Sequence, residues 1–176
     1  GSNFTWSRLP ATPDHVSRLA FHEELFELLP DGYTIEISPA AENWWRAAAE
    51  VLVHCKLMTI DYGLTAEEQF SPSRLNGTLR AYHRHQASND LLAHPGEQDL
   101  TAHVDFSAIQ AAGEAVGLRT ESICTQSQFL TRIVEKMLQQ PGSSAGWTAN
   151  QSRQLQTLTH PDHLGRSFRV LVQSRP

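Results

Sequence analysis

Three groups of side chains in this sequence have the types and spacing for chemistry. Asp61, Tyr62 and Gly63 close the stretch 56–63, KLMTIDYG, where a lysine and an apolar run end in an acid, an aromatic and a glycine. Arg80 and Arg84 would share one side of an extended segment and could hold a carboxylate bidentately; a solvated surface pair is the alternative. His83, His85, His94 and His103 fall within 21 residues. With Glu97 or Asp99 they have the donor types of a zinc-like set, and His83 and His85, two apart on a strand, would point the same way. Neutral histidines bonded to loop backbone are the commoner arrangement. Asp105 adds a carboxylate that is equally suited to capping a helix. These groups do not by themselves name a reaction, and Asp61 and Gly63 also fit plain turn chemistry.

The elements that must position these groups follow from the pattern of the chain. Residues 56–63 read as a buried parallel strand, which puts Asp61, Tyr62 and Gly63 at its carboxyl end, where open α/β sheets bind ligands. Before it, Pro13-Asp14 opens a first helix that runs through Val16, Leu19, Ala20, Leu25, Phe26, Leu28 and Leu29 to Pro30-Asp31-Gly32. Residues 33–38, YTIEIS, read as a short strand or strand-like entry, and Pro39 starts a helix with Trp44, Ala48, Val51 and Leu52 as its apolar stripe. Trp44, Trp45 and Trp147 read as core or sheet-edge packing. From Leu64 to Thr101 prolines, glycines and asparagines replace helical periodicity, so a long functional loop is expected over 64–104. Asp105 then caps a helix in which Phe106, Ile109, Gly113 and Val116 face inward, and Gly117 supplies its left-handed stop. A strand over 118–124 follows. Thr125–Gln128 and Thr148–Gln151 have capping-box spacing ahead of two further helices, the first continuing to Pro141-Gly142, and SFRVLVQ (167–173) reads as a last strand.

At 176 residues the chain is long enough for one domain, expected over 3–176 behind a Gly1-Ser2 cloning remnant. Phe4 and Trp6, alternating with polar residues, resemble the tail of a strand. A formal charge of −5 with 19% charged residues gives no electrostatic case for nucleic acid or an anionic membrane as partner. With no membrane-spanning run and no signal-peptide pattern, a cytoplasmic location is expected. Cys55 and Cys124 lack CxxC spacing and are expected as buried reduced thiols.

The succession Ile60-Asp61-Tyr62-Gly63, then Gly77-Thr78-Leu79-Arg80-Ala81-Tyr82-His83, Pro95-Gly96, Asp99-Leu100-Thr101-Ala102-His103-Val104-Asp105-Phe106 and the segment 126–130 resembles the MidA-type S-adenosylmethionine-dependent methyltransferases. Mitochondrial members of that family assist respiratory complex I assembly by symmetric dimethylation of an arginine on a partner subunit. The resemblance covers residues 20–175 and corresponds to the C-terminal half of such a protein. It implies an α/β fold, the C-terminal half of a class I (Rossmann-like) methyltransferase sheet with helices packed on it.

The resemblance also implies a protein substrate, with arginine as the acceptor. Asp61, Arg80, Asp99 and Asp105 become catalytic candidates, because one carboxylate must fork to the guanidinium and another remove a proton as nitrogen attacks the methyl group. Tyr62, Gly63, His83, Glu97, Thr101, His103 and Phe106 become candidates for facing substrate or cofactor. No metal is implied, since methyl transfer from a sulfonium needs none; the histidines alone would suggest a metallohydrolase-like domain. Before Leu57 only Gly1 and Gly32 are glycines, so the family's glycine-rich cofactor loop is missing, as is its asparagine-glutamate stretch. Weak or no S-adenosylmethionine binding is therefore expected of this chain alone, and a homodimer through an exposed cut sheet is expected. The alternative is a non-enzymatic docking or assembly-factor module.

Overall fold

Ser38 accepts a hydrogen bond from the Ala41 amide through its side chain, and Pro39 follows where a missing N–H costs nothing, so helix α2 (Pro39–Glu50) starts where the sequence places it. Its buried side is formed by Glu42, Trp45 and Ala49, while Trp44 is 66% exposed. The stripe through Trp44 and Ala48 is thus out of phase by one residue. Two adjacent tryptophans and a run of alanines fit either phase, and the buried side chain of Gln173, which accepts a hydrogen bond from Trp45 Nε1, selects Trp45.

The computed structural model describes residues 4–19, 28–140 and 146–175. They fall into two compact units, Gly1–Ile37 with Glu67–His103 and Ser38–Ala66 with Val104–Pro176. The larger unit contains α2, β1 (Cys55–Leu64), β5 (Val104–Asp105), α4 (Phe106–Ala115), β6 (Arg119–Thr125), α5 (Gln126–Leu138), α6 (Ala149–Thr159), a π-type turn (Pro161–Gly165) and β7 (Phe168–Arg175). Its four strands lie in the order β5-β1-β7-β6, with β1 parallel to β5 and β7 antiparallel to both β1 and β6.

Strand β1 differs from the buried parallel strand expected over 56–63. Only Gly63 and Leu64 pair with β5, while residues 55–62 pair antiparallel with β7. Met58, Ile60 and Tyr62 are 54%, 39% and 44% exposed, so an apolar face of the strand stays open. The doubly buried strand is β7, where Arg169, Val170, Leu171, Gln173 and Ser174 are all buried. Alternation cannot reveal that position from the sequence, because a strand buried on both faces has none.

The core gathers Trp45, Phe106, Ile109 and Leu171, flanked by Ala41, Leu57, Val104 and Ile123. Into it points the fully buried amide of Gln173: its Oε1 accepts from Trp45 Nε1 at 2.7 Å, and its Nε2 donates to the Gln110 carbonyl and to Thr120 Oγ1, both at 2.9 Å. Burial costs such an amide little only when its partners are present. The glycine of α4 makes room for it. A Cβ on Gly113 would lie 2.0 Å from Gln173 Oε1 and 2.8 Å from Trp45 Nε1.

The expected caps are present. Asp105 accepts from the Ala108 amide at 2.9 Å to start α4, and Gly117 follows it with φ of +86°. Thr125 and Gln128, then Thr148 and Gln151, form reciprocal capping boxes. Cys124 is a buried free thiol, and burial pushes its pKa up; the side chain of Cys55 lies outside the described residues. The glycine at 142 proposed to end α5 also lies outside them.

The smaller unit contains α1 (Pro13–Leu19), most of a short helix α3 (Ala66–Gln69), a 3-10 turn (Pro72–Arg74), and an antiparallel sheet β3-β2-β4 built from β2 (Arg80–His83), β3 (Gln86–Ser88) and β4 (Asp99–Thr101). The stretch expected as one loop over 64–104 therefore carries structure of its own. Its strands are three or four residues long, too short for an alternating pattern to register. Among the described residues of α1 none is buried, and Ala20, Leu25 and Phe26 of the expected helix lie outside the described residues. Phe4 and Trp6 are exposed and belong to no strand. The strand expected over 33–38 reduces to one bridge between Thr34 and Asn76. No helix among the described residues is long and apolar enough to cross a membrane.

Gly113→Ala should lower unfolding free energy by about 2 kcal/mol or more, through overpacking and loss of the Gln173 hydrogen bonds. Gly146→Ala, whose Cβ would meet nothing within 4 Å, should be close to neutral. Urea denaturation of both variants tests this, and equal midpoints would refute the role given to Gln173.

Candidate functional site

Candidate residues of the larger unit gather at the carboxyl end of β1. Asp61 is exposed, and its Oδ1 accepts from the Tyr62 amide at 2.7 Å. The Tyr62 ring lies on Phe168 with centroids 3.9 Å apart. Gly63 is buried because β5 and α4 crowd it: a Cβ there would be 2.3 Å from the Phe106 ring and 2.6 Å from the Val104 carbonyl. Phe106 itself is fully buried in the core, and Asp105 is the cap of α4. Both therefore have structural work that accounts for their presence.

The smaller unit brings together Arg80, His83, Glu97, Asp99, Thr101 and His103 on or beside its sheet. In register, Arg80 faces Thr101 and Tyr82 faces Asp99. Arg80 donates from Nη1 to the Leu79 carbonyl at 2.7 Å, and Asp99 and Thr101 are exposed on β4. The pairing of Arg80 with Arg84 on one strand side is not formed. Arg84 and His85 are the two-residue connection between β2 and β3, with φ of 50° and 66°, as a hairpin turn of the primed type requires. The same turn takes His85 away from His83. His83 instead stacks on His94, with ring centroids 4.5 Å apart and planes 19° from parallel, and its Nδ1 is 2.9 Å from the Glu97 carbonyl.

A residue absent from the candidate set organises this unit. Glu36 accepts from the amides of Thr78 and Leu79 at 2.8 and 3.0 Å through Oε1, and from the Thr78 hydroxyl at 3.0 Å through Oε2. The Thr78 hydroxyl oxygen in turn accepts from the His103 amide at 2.9 Å. Successive backbone N–H groups make an anion-binding concavity, and here the anion is the protein's own carboxylate. Gly77 precedes it with φ of +63°, and a Cβ there would sit 2.2 Å from Glu36 Oε1. Beside Glu36, the Tyr33 hydroxyl donates to the carbonyls of Gln69 and Ser71. Burial raises the Tyr33 pKa, opposed by Arg74 and reinforced by Glu36.

A four-stranded mixed sheet with helices places the chain in the α/β class. Residues 2–124 match a family described as "Putative S-adenosyl-L-methionine-dependent methyltransferase", and the chain belongs to that family. It is similar to a native structure of an uncharacterized protein from Burkholderia thailandensis, at 31% identity and a TM-score of 0.78, covering 96% of this chain and 44% of that one. It is also similar to a "likely methyl transferase" from the same organism bound to S-adenosyl-homocysteine, at 31% identity and a TM-score of 0.77, covering 96% and 43%. The chain thus spans less than half the length of these solved relatives. No curated protein matches it.

Glu36→Ala should remove hydrogen-exchange protection from the Thr78 and Leu79 amides and cost about 1–3 kcal/mol, since those donors lose their acceptor. Amide exchange followed by NMR reads both residues, and undiminished protection would show that the carboxylate does not hold the loop.

Proposed function

We propose that this chain is the C-terminal portion of a class I, Rossmann-like methyltransferase of MidA type that transfers a methyl group from S-adenosylmethionine to a protein arginine. The observation that carries the reading is a relative of similar fold over 96% of this chain that holds S-adenosyl-homocysteine, the product left when the cofactor gives up its methyl group. In the reaction a guanidinium nitrogen attacks the sulfonium methyl carbon, the carbon–sulfur bond breaks, and a carboxylate takes the nitrogen's proton. Asp61 and Asp99 are exposed carboxylates available for that work. Asp105 is held by the α4 amide, which makes it a weaker candidate.

The chain contributes the acceptor side in this reading. Its only glycines before Leu57 are Gly1 and Gly32, so the glycine-rich loop whose backbone amides approach the cofactor is assigned to the part of its relatives that it does not span. The open apolar face of Met58, Ile60 and Tyr62 favours a second reading, a docking module without turnover, and supplies the surface through which two copies of this chain would pair.

Titration calorimetry with S-adenosylmethionine and S-adenosyl-homocysteine should show binding to a chain extended to the length of its relatives, and weak or no binding to this chain. In the extended protein Asp99→Asn should slow arginine methylation by about a hundredfold, the usual weight of a positioned acid or base. Absence of cofactor binding by both forms would favour docking without turnover. A monodisperse monomer in light scattering of this chain would remove the pairing of two copies.

A further inference from the structure

His83, His94 and Glu97 each offer a ligand atom, and the three atoms lie within 4.8 Å of one another. The chain brings them together from the end of β2 and from the connection between β3 and β4, so sequence spacing alone did not single out this trio. We infer that they form a binding site for a divalent transition-metal ion of the zinc type, two imidazoles and one carboxylate, with water completing the shell. The methyltransferase reading neither requires nor supplies this site.

The geometry of His83 supports it. A carbonyl oxygen only accepts, so the 2.9 Å contact with the Glu97 carbonyl puts the proton on Nδ1 and leaves the lone pair on Nε2. Metal-binding histidines characteristically have their second nitrogen fixed in this way, which sets both tautomer and ring orientation. His94 is presented by a backbone with φ of +46°, and Gly96, at +83°, turns the chain so that the Glu97 carbonyl returns to the His83 ring. Glu97 therefore serves the site twice, through its carbonyl on His83 and through its carboxylate as a ligand.

Ligands about 2.1 Å from a tetrahedral ion are about 3.4 Å apart, so the trio must close by roughly an ångström. The two rings are stacked and nearly parallel, and the soft ring torsion of His94 can be turned to close this distance while His83 keeps its hydrogen bond to the Glu97 carbonyl. His94 and Glu97 are exposed, so this movement displaces no core side chain. Imidazole and carboxylate ligands with an open position suit zinc, cobalt or nickel better than magnesium or calcium, which take oxygen-only shells.

Zinc titrated calorimetrically into the whole chain, free of any affinity tag, should bind at one ion per chain. Cobalt at the same site should give the visible absorption of a low-coordinate complex. His94→Ala and Glu97→Gln, both changes at exposed positions, should each weaken binding by more than about tenfold, at least the cost of disturbing an outer partner of a metal ligand. His85→Ala, in the neighbouring turn and outside the trio, should leave it unchanged. The chain has nine histidines, so the variants decide the matter. No saturable binding, or binding equally strong in both ligand variants, overturns the assignment.

Discussion

The larger unit depends on the buried amide of Gln173. Each of its polar atoms has a partner, and the partners come from different elements: Trp45 on α2, Gln110 on α4 and Thr120 on β6. An apolar residue of similar size would fill the space but leave the Trp45 N–H buried without an acceptor. The network reaches further, since Thr120 Oγ1 donates to Glu114 at 2.6 Å. It also dictates a small residue, because no side chain fits at Gly113 beside the amide. Two residues along β7, Arg175 donates to the carbonyls of Leu52 and Val116, just where α2 and α4 end. A cation at two helix C-termini is favoured by their exposed carbonyls and dipoles. Strand β7 thus fixes both helices through polar contacts as well as through Leu171.

The smaller unit solves a similar problem with a charge. Its sheet has short strands, and among the described residues its buried apolar side chains are few, Phe70 and Ala81 among them. The Glu36 carboxylate supplies directional bonds to Thr78 and Leu79, immediately before β2 begins, and Thr78 passes the constraint on to His103, just after β4 ends. Both ends of the paired segment are thereby tied to one side chain. Ionised acceptors form stronger hydrogen bonds than neutral ones, which suits a unit with little apolar burial.

What the sequence made legible was local. The caps at Asp105, Thr125 and Thr148 depend on contacts three residues apart, and the glycine stop at Gly117 on one residue's φ. Features that depend on distant partners were not legible in the same way. The phase of α2 is decided by Gln173, 128 residues from Trp45. Residues 33–38 have strand-forming side chains, yet their polar partners are the loop at 76–79 and the carbonyls at 69 and 71, so a ladder gives way to side-chain bonds. The histidines were legible as a cluster, but the turn at Arg84-His85 re-pairs His83 with His94, and only the folded chain shows that.

The candidate site divides along the same line. Within GTLRAY, Gly77 and Thr78 are explained by Glu36; within DLTAHVDF, Asp105 is explained by the cap it makes and Phe106 by the core it fills. Gly63 is explained by the close approach of Phe106. Each stretch therefore mixes residues that hold the backbone with residues that face outward, and the sequence alone cannot sort them. Burial and bonding can. Asp99 and Thr101 are exposed on β4, where the strand's pairing uses their backbone and leaves their side chains outside the core. Packing gives no account of an aspartate and a threonine at those positions.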